Sequence, residues 1–318
     1  MTDSASTPHG FHIARVGAGV TDLDAGRAFY EALGFSATAP FDLGTTIAAQ
    51  SETPGSEVVI QIVRRDGFNL ELVRHGGHRS PGWPPPRRPM NQLGFTHLAL
   101  AVDDLSRVVD VITRHGGSSL GFTRSKDLGV DAQFCTDPFG LRVLLLEQGP
   151  SRLGDIAAGP DGIAVAHLGV CVADLDASAR FYGALGFEVG DAVELGDAMS
   201  FLAELDGLPS RAQLVREGAF PLLLTQWGPP RDPGFPVRLP LNRTGDLIHF
   251  GTHCDDYDAM VDLVVAAGGT VVERTRSQFP PPGLQMPWDG EPHGWVFVLD
   301  PNGVQIEIVG PRSLTTGS

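Results

Sequence analysis

Apolar positions along the chain follow two periods. Short runs such as Val58-Val59-Ile60-Gln61-Ile62-Val63 and Leu70-Glu71-Leu72-Val73 are rich in β-branched and apolar residues and are broken by Gly, Pro and Asp, which predicts strands. Between such runs lie stretches of helical period. In one of them Leu23, Phe29, Tyr30 and Leu33 form an apolar stripe, with Asp22 placed as N-cap and Gly34 as C-cap. In the closing stretch, residues 300–309, strand alternation sends Val304, Ile306 and Ile308 into a core and Gln305, Glu307 and Val309 to the opposite face. A carboxylate on so apolar a strand needs a reason.

The pattern repeats. The run from Asp22 to Phe35, with Asp-Leu-Asp-Ala at its start and Phe-Tyr-x-Ala-Leu-Gly-Phe at its end, returns 152 residues further on, from Asp174 to Phe187. The same offset carries Phe68 onto Phe220 and Pro81-Gly82-Trp83-Pro84 onto Pro233-Gly234-Phe235-Pro236, so register is held through a whole unit and its exit loop. Each half divides again, because the opening strand occurs four times, ending at Asp22, Asp104, Asp174 and Asp256. The prediction is an α+β protein of four β-α-β-β-β modules. They are expected to pair as two domains, residues 1–150 with modules one and two and residues 151–318 with modules three and four, the boundary lying between Gly149 and Gly162. The Pro-rich segments Ser80 to Pro89 and Pro229 to Pro240 read as extended connectors between modules.

Composition narrows the function classes. A 42% hydrophobic, 19% charged chain is an ordinary globular protein. The 23 basic against 38 acidic residues give a net charge of -15, which repels phosphate backbones and anionic lipid, so neither nucleic acid nor membrane is expected as a partner. Cys135, Cys171 and Cys254 are odd in number, far apart and in apolar surroundings, and read as reduced core residues. Met1 to Gly10 carries no basic and apolar leader pattern, and the expectation is a cytoplasmic protein. The sequence leaves a homo-oligomer open.

Comparing the modules isolates candidate chemistry. Counting back seven residues from the second Asp of each signature gives Arg15, His97, His167 and His249. The Asp-Pro-x-Gly turns at Asp137 and Asp300 lead to Leu144 and Glu307 at matching places, and the position equivalent to Glu71 in the third module is Leu223. The C-terminal half therefore offers His167, His249 and Glu307 where the N-terminal half has Arg15, His97 and Leu144. Two imidazoles and one carboxylate make a facial triad with open positions, so these three are predicted to hold a metal, Fe(II) first and Mn(II) next. In the N-terminal half Arg15 is expected to pair with Glu71, and Leu144 to fill the vacant space. The stretch Gln278 to Trp295 makes the last module longer than its N-terminal counterpart, and with Trp288 and His293 it reads as a substrate lid. Arg231, Arg238 and Asn242 on the connector could meet an anionic substituent of the substrate, or simply be solvated.

The four strand-Asp-Leu-helix-Phe-Tyr-x-x-Leu-Gly-Phe units with Asp-Pro-x-Gly endings resemble the vicinal oxygen chelate superfamily, which includes glyoxalase I, bleomycin-resistance proteins and extradiol dioxygenases. The resemblance implies that each pair of modules forms a curved, incompletely closed β-barrel with flanking helices. The layout, with metal ligands confined to the second half, is similar to type I extradiol dioxygenases. That implies Fe(II), a catecholic or related chelating aromatic, O2, and ring cleavage. Two departures stand out: Phe297 occupies the place of a substrate-contacting Tyr, and the third module lacks the acid-base His, leaving His253 and His293 as substitutes. Two alternatives stay open. One is a metal-dependent isomerase or lyase of glyoxalase or epimerase type, and the other is a metal-free protein that binds an aromatic antibiotic.

Overall fold

A computed structural model describes residues 7–45, 47, 55–76, 89–121, 123–124, 128–196, 205, 207–228, 244–279 and 293–312. Within them the four modules are recovered. Each opens with a strand (His12–Val20, Gly94–Val102, Ile163–Cys171, Leu247–His253) and runs into a ten-residue helix: α1 Leu23–Ala32, α2 Leu105–Arg114, α3 Leu175–Ala184 and α4 Tyr257–Ala266. The Asp that ends each opening strand caps its helix, the side chains of Asp22, Asp104, Asp174 and Asp256 accepting from the backbone N–H three residues on. No helix among the described residues is long and apolar enough to cross a membrane.

Among the described residues nineteen strands form two open, curved sheets, one of ten strands and one of nine, and neither closes into a barrel there. Their composition corrects the expected domains. In the first sheet the opening strand of module one pairs antiparallel with that of module four, Arg15 opposite Gly251 and Gly17 opposite His249. In the second, module two pairs with module three, His97 opposite Gly169 and His167 opposite Ala99. Residues 1–150 and 151–318 are thus duplicated sequence units that each contribute one module to each sheet, rather than two separate sheet domains. The physical reason lies in edge pairing. The opening strand of every module presents a similar apolar edge, and which two edges meet is decided by how the modules stack, not by the module's own pattern.

Each half is instead held together, module to module, through its helices. Tyr30 on α1 donates to Asp137 of module two (3.3 Å), and Tyr182 on α3 donates to Asp300 of module four (3.0 Å), all four groups buried. The Asp-Pro-x-Gly turn is therefore the socket for the neighbouring module's Phe-Tyr helix. Asn302 closes the same junction in the second half, accepting from the N–H of Ala173 and donating to Ser178. Helices and convex sheet faces share one continuous core, in which Val304, Ile306 and Ile308 sit with Leu70, Leu98, Leu168 and Phe250. The alternation predicted for the last strand is observed. Cys135, Cys171 and Cys254 are buried, free thiols.

Candidate functional site

The concave faces carry the polar groups, and the register explains why. Inside every module the closing strand runs parallel to the opening one. Glu71 pairs with Gly17, Leu144 with Ala99, Leu223 with Gly169, and Glu307 with Gly251. Each partner lies two residues after Arg15, His97, His167 or His249, so the four modules are equivalent strand by strand. What differs is which residues face one another once the sheets are assembled.

In the first sheet Arg15, Glu71, His249 and Glu307 converge. Arg15 Nε donates to Glu71 Oε1 at 2.9 Å and its Nη2 to Glu307 Oε2 at 2.6 Å. His249 Nε2 lies 3.4 Å from Glu71 Oε2 and 3.8 Å from Glu307 Oε2, and Trp295 Nε1 donates to Glu307 Oε1 at 2.7 Å. Every carboxylate oxygen is thus engaged. Burial on its own would raise the Glu71 carboxyl, but the charge of Arg15 and the contacts with His249 overcome it and hold the group down to about 2. Burial works against the Arg15 charge too, and the two carboxylates more than offset it, so its already high pKa rises further. The pairing of Arg15 with Glu71 expected from the sequence is present; Glu307 as its second partner was not foreseen, because it belongs to the far end of the chain.

Two glycines make room for this cluster. A Cβ on Gly17 would lie 2.5 Å from Cε1 of His249, and one on Gly251 would lie 2.7 Å from Cζ of Arg15. Gly251→Ala is expected to push the guanidinium off its carboxylates and to lower stability by about 1–3 kcal/mol, the usual cost of overpacking. Urea unfolding checks this, and an unchanged midpoint would show that Arg15 has slack.

Above the cluster opens a cavity of about 390 Å³. Phe41, Leu43, Ile60, Val73, Ile248 and Phe297 give it apolar walls, and the four polar groups form its floor. Phe297 stands edge-on to His249 (5.7 Å between ring centres, 84°) and packs on Trp295. His253 also lines the cavity, and burial, then the nearby Arg15, His12 and His293, lower it to about 4. His293 begins the His293–Leu299 strand, opposite Pro311, and is not among the residues lining the cavity. Trp288, Asn242, Arg231 and Arg238, with most of the supposed lid, lie outside the described residues.

The predicted triad of His167, His249 and Glu307 does not assemble. His167 belongs to the second sheet, where its Nε2 lies 3.2 Å from that of His97. Around that pair Leu144, Leu223, Phe134 and Trp227 belong to the apolar cluster of the second concave face or stack on the histidines, so this face has two imidazoles and no carboxylate at the matched positions. Leu144 is buried in that apolar cluster, in register with Ala99, whose other neighbour across the sheet is His167. A divalent ion among Glu71, His249 and Glu307 would have to displace Arg15 from both carboxylates, and His167 could not reach it. The donor set therefore does not fit a metal. Among the described residues no group of three or more His, Cys, Asp or Glu side chains is arranged to hold one.

The fold and the paired concave sites define a duplicated βαβββ protein. The family model described as Glyoxalase/Bleomycin resistance protein/Dioxygenase superfamily matches residues 12–145 and again 164–308. The chain belongs to that superfamily. Among solved structures, glyoxalase I from Zea mays is similar at 18% identity and a TM-score of 0.62, covering 94% of this chain and 92% of that one. A candidate dioxygenase from Bacillus subtilis subsp. subtilis str. 168 is similar at 12% identity and a TM-score of 0.53, over 96% and 86%. At such identities the likeness is one of fold. No curated protein sequence matches the chain.

Proposed function

We propose that this protein binds a small, mainly apolar aromatic molecule in the cavity of the first sheet, with no metal ion at its floor. The observation that carries the reading is Arg15 bridging Glu71 and Glu307 beneath walls that are mainly apolar, with Thr38, Arg64, His75 and His253 among them. A cavity of this size suits a small ligand, and apolar walls with a few convergent polar groups are the usual form of a small-molecule site. Arg15 uses Nε and Nη2 on the carboxylates, which leaves Nη1 for a carbonyl or phenol oxygen of the ligand. Phe41, Trp295 and Phe297 supply aromatic faces and edges for stacking.

The Fe(II) extradiol reading depended on His167, His249 and Glu307 facing one ion. With His167 in the other sheet, that reading loses its donor set, and ring cleavage is not proposed. A second reading draws on a different contact. His249 beside Glu71 and Glu307 is an acid-base pairing within the cavity, which favours metal-independent proton transfer next to a ligand carbonyl.

Titration calorimetry of chelator-treated protein against catechols, naphthols and larger polycyclic phenols tests the binding reading. Saturable binding without added metal is expected, and its loss in Ile60→Trp, which fills the cavity from one wall. Binding that requires Fe(II), or oxygen uptake on the catechols, would overturn it. Deuterium entering the carbon next to a ligand carbonyl, in protein free of metal, would select the second reading.

A further inference from the structure

Three of the four modules place histidine at the same strand position, and the fourth places Arg15 there. The register makes this an equivalence in space as well as in sequence. Arg15 and His249 face each other across the antiparallel pair, each opposite a glycine, and Glu71 and Glu307 flank them from the parallel closing strands. A local twofold therefore relates Arg15 with Glu71 to His249 with Glu307. Three donors of the kind that bind divalent ions are present, two oxygen and one nitrogen, and the fourth corner is a cation.

We infer that the Arg15 guanidinium is a built-in replacement for a divalent cation, and that the single change Arg15→His converts the first-sheet floor into a metal site with Glu71, His249 and Glu307. The inference concerns the charge balance of the floor, whatever ligand the cavity takes. Two buried carboxylates a few ångströms apart repel one another and need a positive charge between them. Arg15 supplies that charge from the chain itself and satisfies one oxygen of each carboxylate. It also ties up the lone pairs that an ion would need. Removing the guanidinium leaves the charge demand unmet and frees the oxygens, while the new imidazole stands across the twofold from His249. The two glycines leave space for the ring at either position. The second sheet supplies the contrast. It keeps two histidines and has lost both carboxylates, so it has no charge to balance and carries no counter-cation at the matched positions.

The experiment compares wild type, Arg15→His, Arg15→Lys and Arg15→His combined with Glu307→Gln, all stripped with chelator and titrated with Co(II) and Zn(II). Calorimetry gives stoichiometry, Co(II) visible absorption reports the donor set, and thermal melting reports stabilisation by the ion. Expected is one ion per chain in Arg15→His, with a higher melting temperature on loading. Both effects should be absent from wild type and Arg15→Lys, and lost again in the double variant. Arg15→Gln is the second variant, offering a neutral oxygen donor should the histidine pack badly. Three results would overturn the inference. Wild type could take up an ion whose absorption disappears in Glu307→Gln. Both Arg15→His and Arg15→Gln could fold without taking one up. Or both could fail to fold even with the ion present. None of these readouts depends on an aromatic ligand, so failure of the ligand reading and failure of this one are distinguishable.

Discussion

Arg15→Ala is expected to cost about 3–5 kcal/mol of folding stability at pH 7, the range for breaking a buried ion pair from one side. The side chains of Glu71 and Glu307 are only 5% and 6% exposed, and Arg15 is the positive charge that both of them contact. Without it each carboxylate must stay desolvated beside its like-charged neighbour, or take up a proton. The pH dependence identifies the cause. In the wild type the Glu71 pKa is depressed to about 2, so its contribution is fully present above the unfolded value near 4.5 and is lost only as pH falls toward 2. In Arg15→Ala only the contacts with His249 still oppose burial, so the folded pKa climbs back toward the unfolded one or past it, and the variant no longer gains stability as pH rises from the acid side. The gap between the two proteins should widen from pH 4 to pH 7 in urea titrations. Replacing the whole cluster, Arg15→Met with Glu71→Leu and Glu307→Leu, should recover most of the loss, because apolar side chains of similar volume need no counter-charge. Leu144 and Leu223 show that leucine is accommodated at the equivalent positions of the second sheet. A gap that is constant with pH would assign the loss to packing of the guanidinium stem.

That cluster also shows how far the sequence can be read. Each module is specified locally. The Asp cap, the Phe-Tyr helix stripe, the Asp-Pro-x-Gly turn and the alternation around Glu307 are all patterns within ten or so residues, and all are present in the fold. The Arg15–Glu71 pair was legible for the same reason, since both residues belong to one module. Which module shares a sheet with which was not legible, because four near-equivalent edges satisfy the same local pattern in either pairing. The error in the metal ligands follows from that one point. Matching by repeat found the right positions, His167, His249 and Glu307, but placed them in one cup because the halves were taken as the domains. Exchange of partners sends His167 to His97 and brings Arg15 to Glu307. A signal was present at Gly17, Gly169 and Gly251, small residues two positions after Arg15, His167 and His249 that leave room for the side chain across the strand pair. In Tyr30 and Tyr182 the sequence showed a helix stripe and concealed a buried hydroxyl whose acceptor lies more than a hundred residues away.

The acid sensitivity contributed by the second sheet should disappear when His97 and His167 are both replaced by leucine. The two imidazoles are buried, and their Nε2 atoms share a single hydrogen bond, which requires one donor and one acceptor. A tautomer in which the Thr96 hydroxyl donates to His97 Nδ1, and His97 Nε2–H donates to His167, satisfies both contacts. Protonating either ring puts a charge among leucines and destroys that pattern. Burial accordingly lowers His167 to about 3, and burial followed by the charges of His167 and Arg142 takes His97 well below its usual value. Between these values and the unfolded value near 6.5 the unfolded chain binds more protons than the native one. Stability is therefore lost as pH falls through that window, by at most about 1.4 kcal/mol per pH unit for each histidine. Asp137, raised by burial to about 7, and Asp300, raised in the same direction, act with the opposite sign over part of the range. Total stability can then look flat while large terms cancel, so the measurement is the difference between wild type and the double variant. At pH 7 the two should lie within about 1 kcal/mol, since both hydrogen-bonding partners are replaced by apolar groups in an already leucine-lined cluster. From pH 6.5 to pH 4 the double variant should become progressively the more stable. Parallel stability curves across that range would mean that the two histidines take up protons equally in the native and unfolded chains, and would remove them as the acid-sensitive element of the second sheet.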